Sequence, residues 1–196
     1  QRQSPRKQMW AVLAIVFFGF LGVSMPYLIF PSLFLNPSHS ILPAEWEPYR
    51  TVFLGITLAA YPLGQFIGSP ILGAFSDDYG RRKVLSGSLL ITALCTFLTA
   101  LALEKDMLWL LIVSRFLAGL MEGNIAIARA MAADIKTISK HETFGKINAV
   151  SSIAYILGPI IGGVLSEADF CEGFNLSLPF FVVSVFFLLL SFLQFL

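Results

Sequence analysis

Three ionisable residues lie inside an otherwise apolar stretch of this sequence, between residues 108 and 133. They are Arg115, Glu122 and Arg129, and a spacing of seven residues drifts by only about 20° around a helix, so we predict all three on nearly one face. Successive members lie about 10 Å apart along the helix axis, which puts Glu122 near the middle of the stretch. Ionisable groups inside a membrane are costly and usually face a cavity or a partner. The pattern therefore predicts a functional site centred on Glu122.

Two interpretations of Glu122 are compatible with this spacing. In the first, its carboxylate belongs to a structural ladder of ion pairs, with Arg115 as a candidate partner. In the second, it binds a substrate or accepts a proton near physiological pH. We predict a substrate or proton pathway formed by Glu122, Arg115 and Asn124, although a single asparagine in such a helix more commonly forms a helix-to-helix hydrogen bond.

The chain that carries these residues is mostly apolar. Of its 196 residues, 57% are hydrophobic and 13% are charged, and the mean hydropathy is +0.80, which is far from the range of soluble domains. A helix needs about 20 apolar residues to cross roughly 30 Å of hydrocarbon. Six stretches meet this requirement, at residues 9–35, 51–76, 84–103, 108–133, 146–166 and 179–196. We therefore predict an all-α integral membrane protein in a lipid bilayer, with residues 1–196 forming one six-helix bundle.

Lysine and arginine are concentrated in alternate loops. Loops rich in these residues usually face the cytoplasm. The enriched segments are the N-terminus and the second and fourth loops, which contain Arg2, Arg6 and Lys7, then Arg81, Arg82 and Lys83, then Lys136, Lys140 and Lys146. The N-terminus is therefore predicted to be cytoplasmic. Because the topology accounts for these cations, we expect no nucleic-acid partner.

Small residues recur every four positions in two spans, as Ala60, Gly64 and Gly68 and as Ala154, Gly158 and Gly162. Such faces let helix backbones approach closely in lipid, so both helices are predicted to be buried. The ends of the two spans also look alike, from Gly68 to Asp77 and from Gly158 to Glu167. This similarity predicts two inverted three-helix repeats. Two unrelated glycine-rich helices remain the alternative.

Three motifs resemble those of the major facilitator superfamily. Residues 73–82, GAFSDDYGRR, resemble the family's signature loop between the second and third helices. Residues 115–119, RFLAG, look like its fourth-helix motif, and residues 158–163, GPIIGG, are similar to the fifth-helix motif of drug:proton antiporters. Residues 132–163 are most similar to the tetracycline-efflux branch. The family builds twelve helices in two halves, so this chain is predicted to be one N-terminal six-helix half.

The resemblance implies a role for several charged and small residues. Asp77 would face a helix N-terminus in the second half, Arg81 would pair with Asp134, and Gly73 and Gly80 would let the loop pack closely. The predicted conformational latch comprises Gly73, Asp77, Gly80, Arg81, Arg82, Arg129 and Asp134. Arg115 would take part in proton coupling. The fifth-helix residues Gly158, Pro159, Gly162 and Gly163 would shape the contact where the two halves rock.

The resemblance further implies a secondary active transporter that works by alternating access and exports a small amphipathic molecule or drug. It would use an ion gradient, expected to be of protons, in place of a cofactor, and would need a C-terminal half in a plasma or bacterial inner membrane. Gly19 stands where tetracycline-efflux proteins carry an acid in the first helix, and Asp78 stands where a cation is usual. A non-transporting sensor or assembly scaffold, or an importer, is the alternative. The sequence contains no nucleophile motif and no His/Cys cluster with metal-ligand spacing, so we do not expect an enzyme.

Overall fold

A computed structural model describes residues 4–35, 41–166 and 175–195. Within these ranges the chain is helical and contains no strand. The helices are α1 (Pro5–Ser24), α2 (Pro26–Leu35), a short 3-10 helix (Ala44–Tyr49), α3 (Arg50–Tyr79), α4 (Arg81–Glu104), α5 (Leu108–Leu120), α6 (Gly123–Ala133), α7 (Lys140–Ser166) and α8 (Leu178–Phe195). Arg2, Glu167 and the last residue of the sixth predicted span, Leu196, lie outside the described residues. The idea that Asp77 and Glu167 end equivalent helices of two repeats therefore stays a prediction.

Five segments are long and apolar enough to cross a membrane, namely Pro5–Leu35, Ala44–Tyr79, Arg81–Glu104, Leu108–Ala133 and Lys140–Leu165. The apolar part of α8, Leu178–Gln194, is shorter than these. The all-α prediction is therefore confirmed for the described residues. The arrangement as two inverted three-helix repeats stays a prediction.

Two spans that were predicted as continuous helices are interrupted. The first changes from α1 to α2 at Met25, immediately before Pro26, which is a residue well suited to the first position of a new helix. The fourth is interrupted at Met121 and Glu122, whose amides donate to carbonyl oxygens three residues earlier, at 3.2 and 3.0 Å, instead of four. Glycine on both sides, at 119 and 123, lowers the cost of this interruption. Glu122 therefore lies at a break between α5 and α6.

The small-residue faces mark close helix contacts, as predicted. A Cβ atom at Gly64 or Gly68 would overlap the backbone of α5, so α3 and α5 lie in direct backbone contact. A Cβ atom at Gly158 of α7 would overlap the side chain of Ser24 of α1. The prediction that both helices are buried is wrong for this chain. Only the face that carries the small residues is covered, and large side chains elsewhere remain exposed, such as Phe66 of α3 and Ile156 of α7.

Serine hydroxyls join α4 to α8. Ser86 Oγ donates to the carbonyl oxygen of Ser191 at 2.9 Å, and Ser191 Oγ donates to that of Ser86 at 2.8 Å. Ser184 Oγ donates to the carbonyl oxygen of Ala93 at 3.0 Å, farther along the same contact. Such bonds between helices hold a bundle together where no hydrophobic drive exists. These three hydrogen bonds therefore hold α8 against α4.

Candidate functional site

The carboxylate of Glu122 is buried and contacts α3. Its Oε2 accepts a hydrogen bond from the hydroxyl of Tyr61. Tyr61 reaches this position because α3 and α5 touch: a Cβ atom at Gly119 would overlap the backbone carbonyl of Tyr61. The glycine therefore brings the tyrosine ring within reach of the helix break. The sequence pattern predicted Glu122 as a site residue, but it gave no indication that Tyr61 is its hydrogen-bond partner.

Arg115 lies two turns before Glu122 and is only 4% exposed. Its guanidinium carbon is 4.4 Å from the centre of the Tyr61 ring and 5.8 Å from that of Phe30. Both distances fall in the range of a cation–π contact. Its Nε is buried and has no hydrogen-bond partner among the described residues. Tyr61 thus contacts Glu122 with its hydroxyl and Arg115 with its ring.

No salt bridge joins Glu122 to an arginine in the described part of the chain. The salt bridges found there join Arg50 to Glu47, Arg81 to Asp134 and Lys146 to Glu142. An ion-pair ladder through Arg115, Glu122 and Arg129 is therefore not formed by direct contact. One reason is the break at Glu122, which interrupts the regular helix on which the predicted common face depended.

Arg129 lies on α6 next to aromatic side chains of two other helices. Its guanidinium carbon is 5.5 Å from the centre of the Phe20 ring, and that ring is 5.1 Å from the ring of Tyr155 on α7. Its Nε is buried without a hydrogen-bond partner among the described residues. Neither a hydrogen bond nor a salt bridge in the described residues joins Arg129 to Arg81 or Asp134. In the described residues, therefore, no bond ties Arg129 to the other predicted latch residues.

Asn124 is buried and holds two helices together. Its Nδ2 donates to Oγ1 of Thr92 on α4 at 3.2 Å. This geometry is that of the helix-to-helix hydrogen bond described above as the common role of such a residue. A part in the substrate or proton pathway stays a prediction for Asn124.

A small pocket opens beside Arg115, where the α1–α2 junction meets α3 and α5. Its lining is largely apolar and aromatic, and its one charged member is Arg115; it consists of Val23, Pro26, Tyr27, Phe30, Thr57, Leu58, Tyr61 and Arg115. Its volume is about 10 Å³, which is room for about one water molecule.

The segment predicted as the signature loop is almost entirely helical. Helix α3 runs to Tyr79 and α4 begins at Arg81, so only Gly80 lies between them. The φ of Gly80 is +93°, a value that residues with a side chain rarely adopt. The residue is needed for this backbone conformation. It does not pack closely, since a Cβ atom at Gly80 or at Gly73 would meet no atom within 4 Å in the described residues.

The charged residues around Gly80 differ in their contacts. Arg81 donates to the carboxylate of Asp134 at the end of α6, and Nε of Arg82 donates to the carbonyl oxygen of Gln194 on α8 at 2.7 Å. Asp77 and Asp78 are exposed and form no hydrogen bond or salt bridge with any described residue. The function of this group as a latch stays a prediction.

The predicted fifth-helix motif lies on α7, against α1 and α2. Gly158 faces Ser24, and a Cβ atom at Gly162 would lie 3.2 Å from the side chain of Met25. At Gly163 it would lie 3.1 Å from Leu28. Pro159 is inside the same helix. These residues therefore determine how closely α7 approaches the α1–α2 junction.

Comparison with known families decides the identity of the fold. The family model described as Major Facilitator Superfamily matches residues 12–196. The chain belongs to the Major Facilitator Superfamily. It is a multi-pass membrane chain of that superfamily, and its length fits an N-terminal half.

Relatives of this superfamily chain include resistance proteins from bacteria. The tetracycline resistance protein of class C from Escherichia coli is 32% identical over 177 residues, which are 89% of this chain and 40% of the relative. Multidrug resistance protein 1 from Bacillus subtilis (strain 168) is 30% identical over 185 residues, or 93% of this chain and 43% of the relative. The chain thus spans less than half the length of these relatives.

Two solved structures of similar fold cover almost the whole chain. The human organic anion transporter MFSD10 (TETRAN) has a TM-score of 0.65 at 22% sequence identity, and the match covers 98% of this chain and 46% of the MFSD10 chain. The xylose transporter XylE from Escherichia coli, in an inward open conformation, has a TM-score of 0.63 at 16% identity, and the match covers 97% of this chain and 47% of the XylE chain. At these identities the similarity shows the fold alone.

Proposed function

We propose that this chain is the N-terminal half of a secondary transporter that works by alternating access and exports a small amphipathic molecule or drug, coupled to a proton gradient. The observation that carries the proposal is the environment of Glu122. Its carboxylate is buried, its hydrogen bond comes from Tyr61, and no cation of the described residues lies within 4.0 Å of it. A buried carboxylate without a paired cation is costly when ionised. Among the described residues, Glu122 is therefore the group best suited to take up and release a proton.

The superfamily and its relatives support the same class of function. Relatives named for tetracycline and multidrug resistance match most of this chain, which favours an amphipathic, drug-like substrate. In the proposal, a C-terminal six-helix half completes the pathway, and the protein lies in a plasma or bacterial inner membrane with its N-terminus in the cytoplasm. Tyr61, whose hydroxyl contacts Glu122 and whose ring contacts Arg115, then positions the Glu122 carboxylate.

The experiment measures flux through the full-length protein in liposomes under an imposed pH gradient. Tetracycline is the first probe, since it is the drug for which several relatives are named, and other amphipathic drugs follow. Glu122→Gln keeps the volume of the side chain and one acceptor oxygen for the Tyr61 hydroxyl, but it cannot take up or release a proton. We expect this variant to lose gradient-driven flux while it still inserts normally.

Glu142→Gln is the matched control, because Glu142 is an exposed glutamate at the start of α7, paired with Lys146 at 2.6 Å. We expect its flux to equal that of the wild type. If the wild type moves no probe, and Glu122→Gln differs from the wild type in no property, the alternative of a non-transporting sensor or scaffold is favoured. Uptake instead of release of the probe would favour the importer.

A further inference from the structure

The first turn of α6 depends on contacts with neighbouring helices for its position. Across the break, the amides of Asn124 and Ile125 donate to carbonyl oxygens three residues earlier, both at 3.1 Å, and not four residues earlier as in a regular α-helix. A stretch of this kind inside a helix often marks a hinge. The continuity of the chain therefore does not by itself fix the direction of α6, nor the place of Glu122 at its start.

Helix α3 provides one of the fixing contacts. A Cβ atom at Gly123 would lie 2.8 Å from Cβ of Leu72 and 3.3 Å from Cα of Ser69, so the start of α6 packs directly on α3. Packing limits how closely two helices approach, whereas a hydrogen bond also has a preferred direction. The contact with α3 therefore leaves the rotation of α6 about its own axis to be fixed by another group.

Helix α4 provides that group through Thr92. Nδ2 of Asn124 donates to Oγ1 of Thr92 at 3.2 Å, and both side chains are buried. A threonine hydroxyl has one proton, and that of Thr92 goes to the carbonyl oxygen of Ser88 at 2.9 Å. Only the acceptor side of the hydroxyl is left, so Asn124 must turn its Nδ2 towards Thr92. The bond therefore fixes both the position and the orientation of Asn124, two residues after Glu122.

The segment at the break is thus tied to two helices. The side chain of Glu122 accepts from Tyr61 of α3, and the side chain of Asn124 donates to α4. We propose that Thr92 is a positioning residue of the proton site, which acts through Asn124 to hold Glu122 within reach of the Tyr61 hydroxyl. The proposal rests on the proposed function, since it adds a residue to the same site.

Thr92 acts on Glu122 by position and not by charge. Its side chain is neutral, and Thr92→Val removes the hydroxyl while it keeps the branched shape of the side chain. In the described part of the chain, the charged and titratable side chains that face Glu122 or its tyrosine partner are Tyr61 of α3, Cys95 of α4, Arg115 of α5, Arg129 of α6 and Tyr155 of α7. Thr92→Val replaces none of them. A change at Glu122 in this variant therefore reports where its carboxyl group lies.

Infrared spectroscopy of the full-length protein at acid pH follows this carboxyl group. The band of Glu122 is the one that Glu122→Gln lacks, and the carbonyl frequency of a protonated carboxyl group rises when a hydrogen bond to it is lost. We expect Thr92→Val to shift the band to higher frequency, towards its position in Tyr61→Phe. Thr92→Ser restores a hydroxyl at the same place and should bring the band back to the wild-type position.

Thr96 is the matched control, one turn farther along α4. It is 5% exposed where Thr92 is 6% exposed, and its hydroxyl donates to the carbonyl oxygen of Thr92 at 2.8 Å. It forms no hydrogen bond with α6 among the described residues, so Thr96→Val should leave the band at the wild-type position. An unshifted band in Thr92→Val, or an equal shift in Thr96→Val, overturns the proposal. Asn124→Leu breaks the same bond from α6 and replaces Thr92→Val if that variant is not monodisperse.

A double-mutant cycle asks the same question without any proton uptake. No hydrogen bond joins Thr92 to Tyr61, and the effects of independent residues on stability usually add. We expect the fall in melting temperature of the double variant Thr92→Val/Tyr61→Phe to be smaller than the sum of the two single falls, because either change already separates Glu122 from its donor. The pair Thr96→Val and Tyr61→Phe should add. Additivity in both pairs would contradict the link from Thr92 to Glu122.

Flux measurements separate this proposal from the proposed function. Thr92→Val is expected to lower gradient-driven flux by about tenfold, which corresponds to about 1.4 kcal/mol, the size of one hydrogen bond. Thr96→Val should transport like the wild type. Wild-type flux in Thr92→Val together with a shifted band would mean that transport does not need this position of Glu122, and it would overturn the proposal. A wild type that moves no probe would contradict only the proposed function, because the band and the melting temperatures are measured without transport.

Discussion

The hydroxyl of Tyr61 on α3 donates a hydrogen bond to the carboxylate of Glu122 at the break between α5 and α6. The ring of the same tyrosine lies 4.4 Å from the guanidinium carbon of Arg115. One side chain therefore contacts both buried charges of the site. Any movement of α3 relative to α5 changes both contacts at once.

Replacing Tyr61 by phenylalanine separates these two contacts. Tyr61→Phe keeps the ring next to Arg115 and leaves the buried Glu122 without its donor, which is expected to lower the free energy of unfolding by about 1–3 kcal/mol. It should also reduce gradient-driven flux. Thermal unfolding and liposome flux are measured together. Tyr79→Phe, on the same helix but exposed, is the control, and identical behaviour of the two variants would contradict the role of Tyr61.

The contact between Arg81 and Asp134 can be tested by exchanging the charges. Both side chains are partly exposed, at 37% and 65%, so the pair is expected to contribute only about 0.2–1 kcal/mol to stability. If the pair acts as a latch, Arg81→Asp and Asp134→Arg each reduce flux, and the double variant recovers part of it. A double variant no better than the worse single variant would argue against a latch formed by this pair.

Gly68 and Gly55 of α3 provide a matched pair of alanine substitutions. A Cβ atom at Gly68 would overlap the backbone of Leu120, so Gly68→Ala forces α3 and α5 apart and is expected to cost about 1–3 kcal/mol. At Gly55 nothing lies within 4 Å, so Gly55→Ala is expected to be neutral or to stabilise the helix by about 0.5–1 kcal/mol. The measurement is the melting temperature of the purified protein. Equal melting temperatures would show that α3 and α5 do not touch as described.

The approach of Gly158 to Ser24 predicts a specific rescue. Gly158→Ala places a methyl group where the Ser24 side chain lies and should destabilise the protein, whereas Ser24→Gly removes that side chain. The double variant is therefore expected to be more stable than the sum of the two single effects predicts, as residues in contact usually couple by about 0.5–3 kcal/mol. A double-mutant cycle in thermal stability checks this. Strict additivity would mean that α7 and α1 are not in contact here.

Several properties of this protein follow from the order of its residues. Hydropathy located the helical spans and charge spacing located Glu122, because both depend on residues close together in the chain. The motif that includes Arg115 and the motif at residues 158–163 indicated the superfamily, because each motif also consists of residues that are close together in the chain. Gly64 and Gly68 indicated a close contact, since a missing side chain has few other uses in a membrane helix.

Tertiary structure decided what these residues contact. Tyr61 meets Glu122 because Gly119 lets α3 approach α5, and no local pattern records a contact between helices. The break at Glu122 separates α5 from α6, so equal spacing along the sequence did not give a ladder of ion pairs. The burial predicted for α3 was wrong beyond its small-residue face, because composition shows where a helix can pack but not how much of it is covered. Contacts between distant segments depend on the relative position of whole helices, and only the folded chain specifies that.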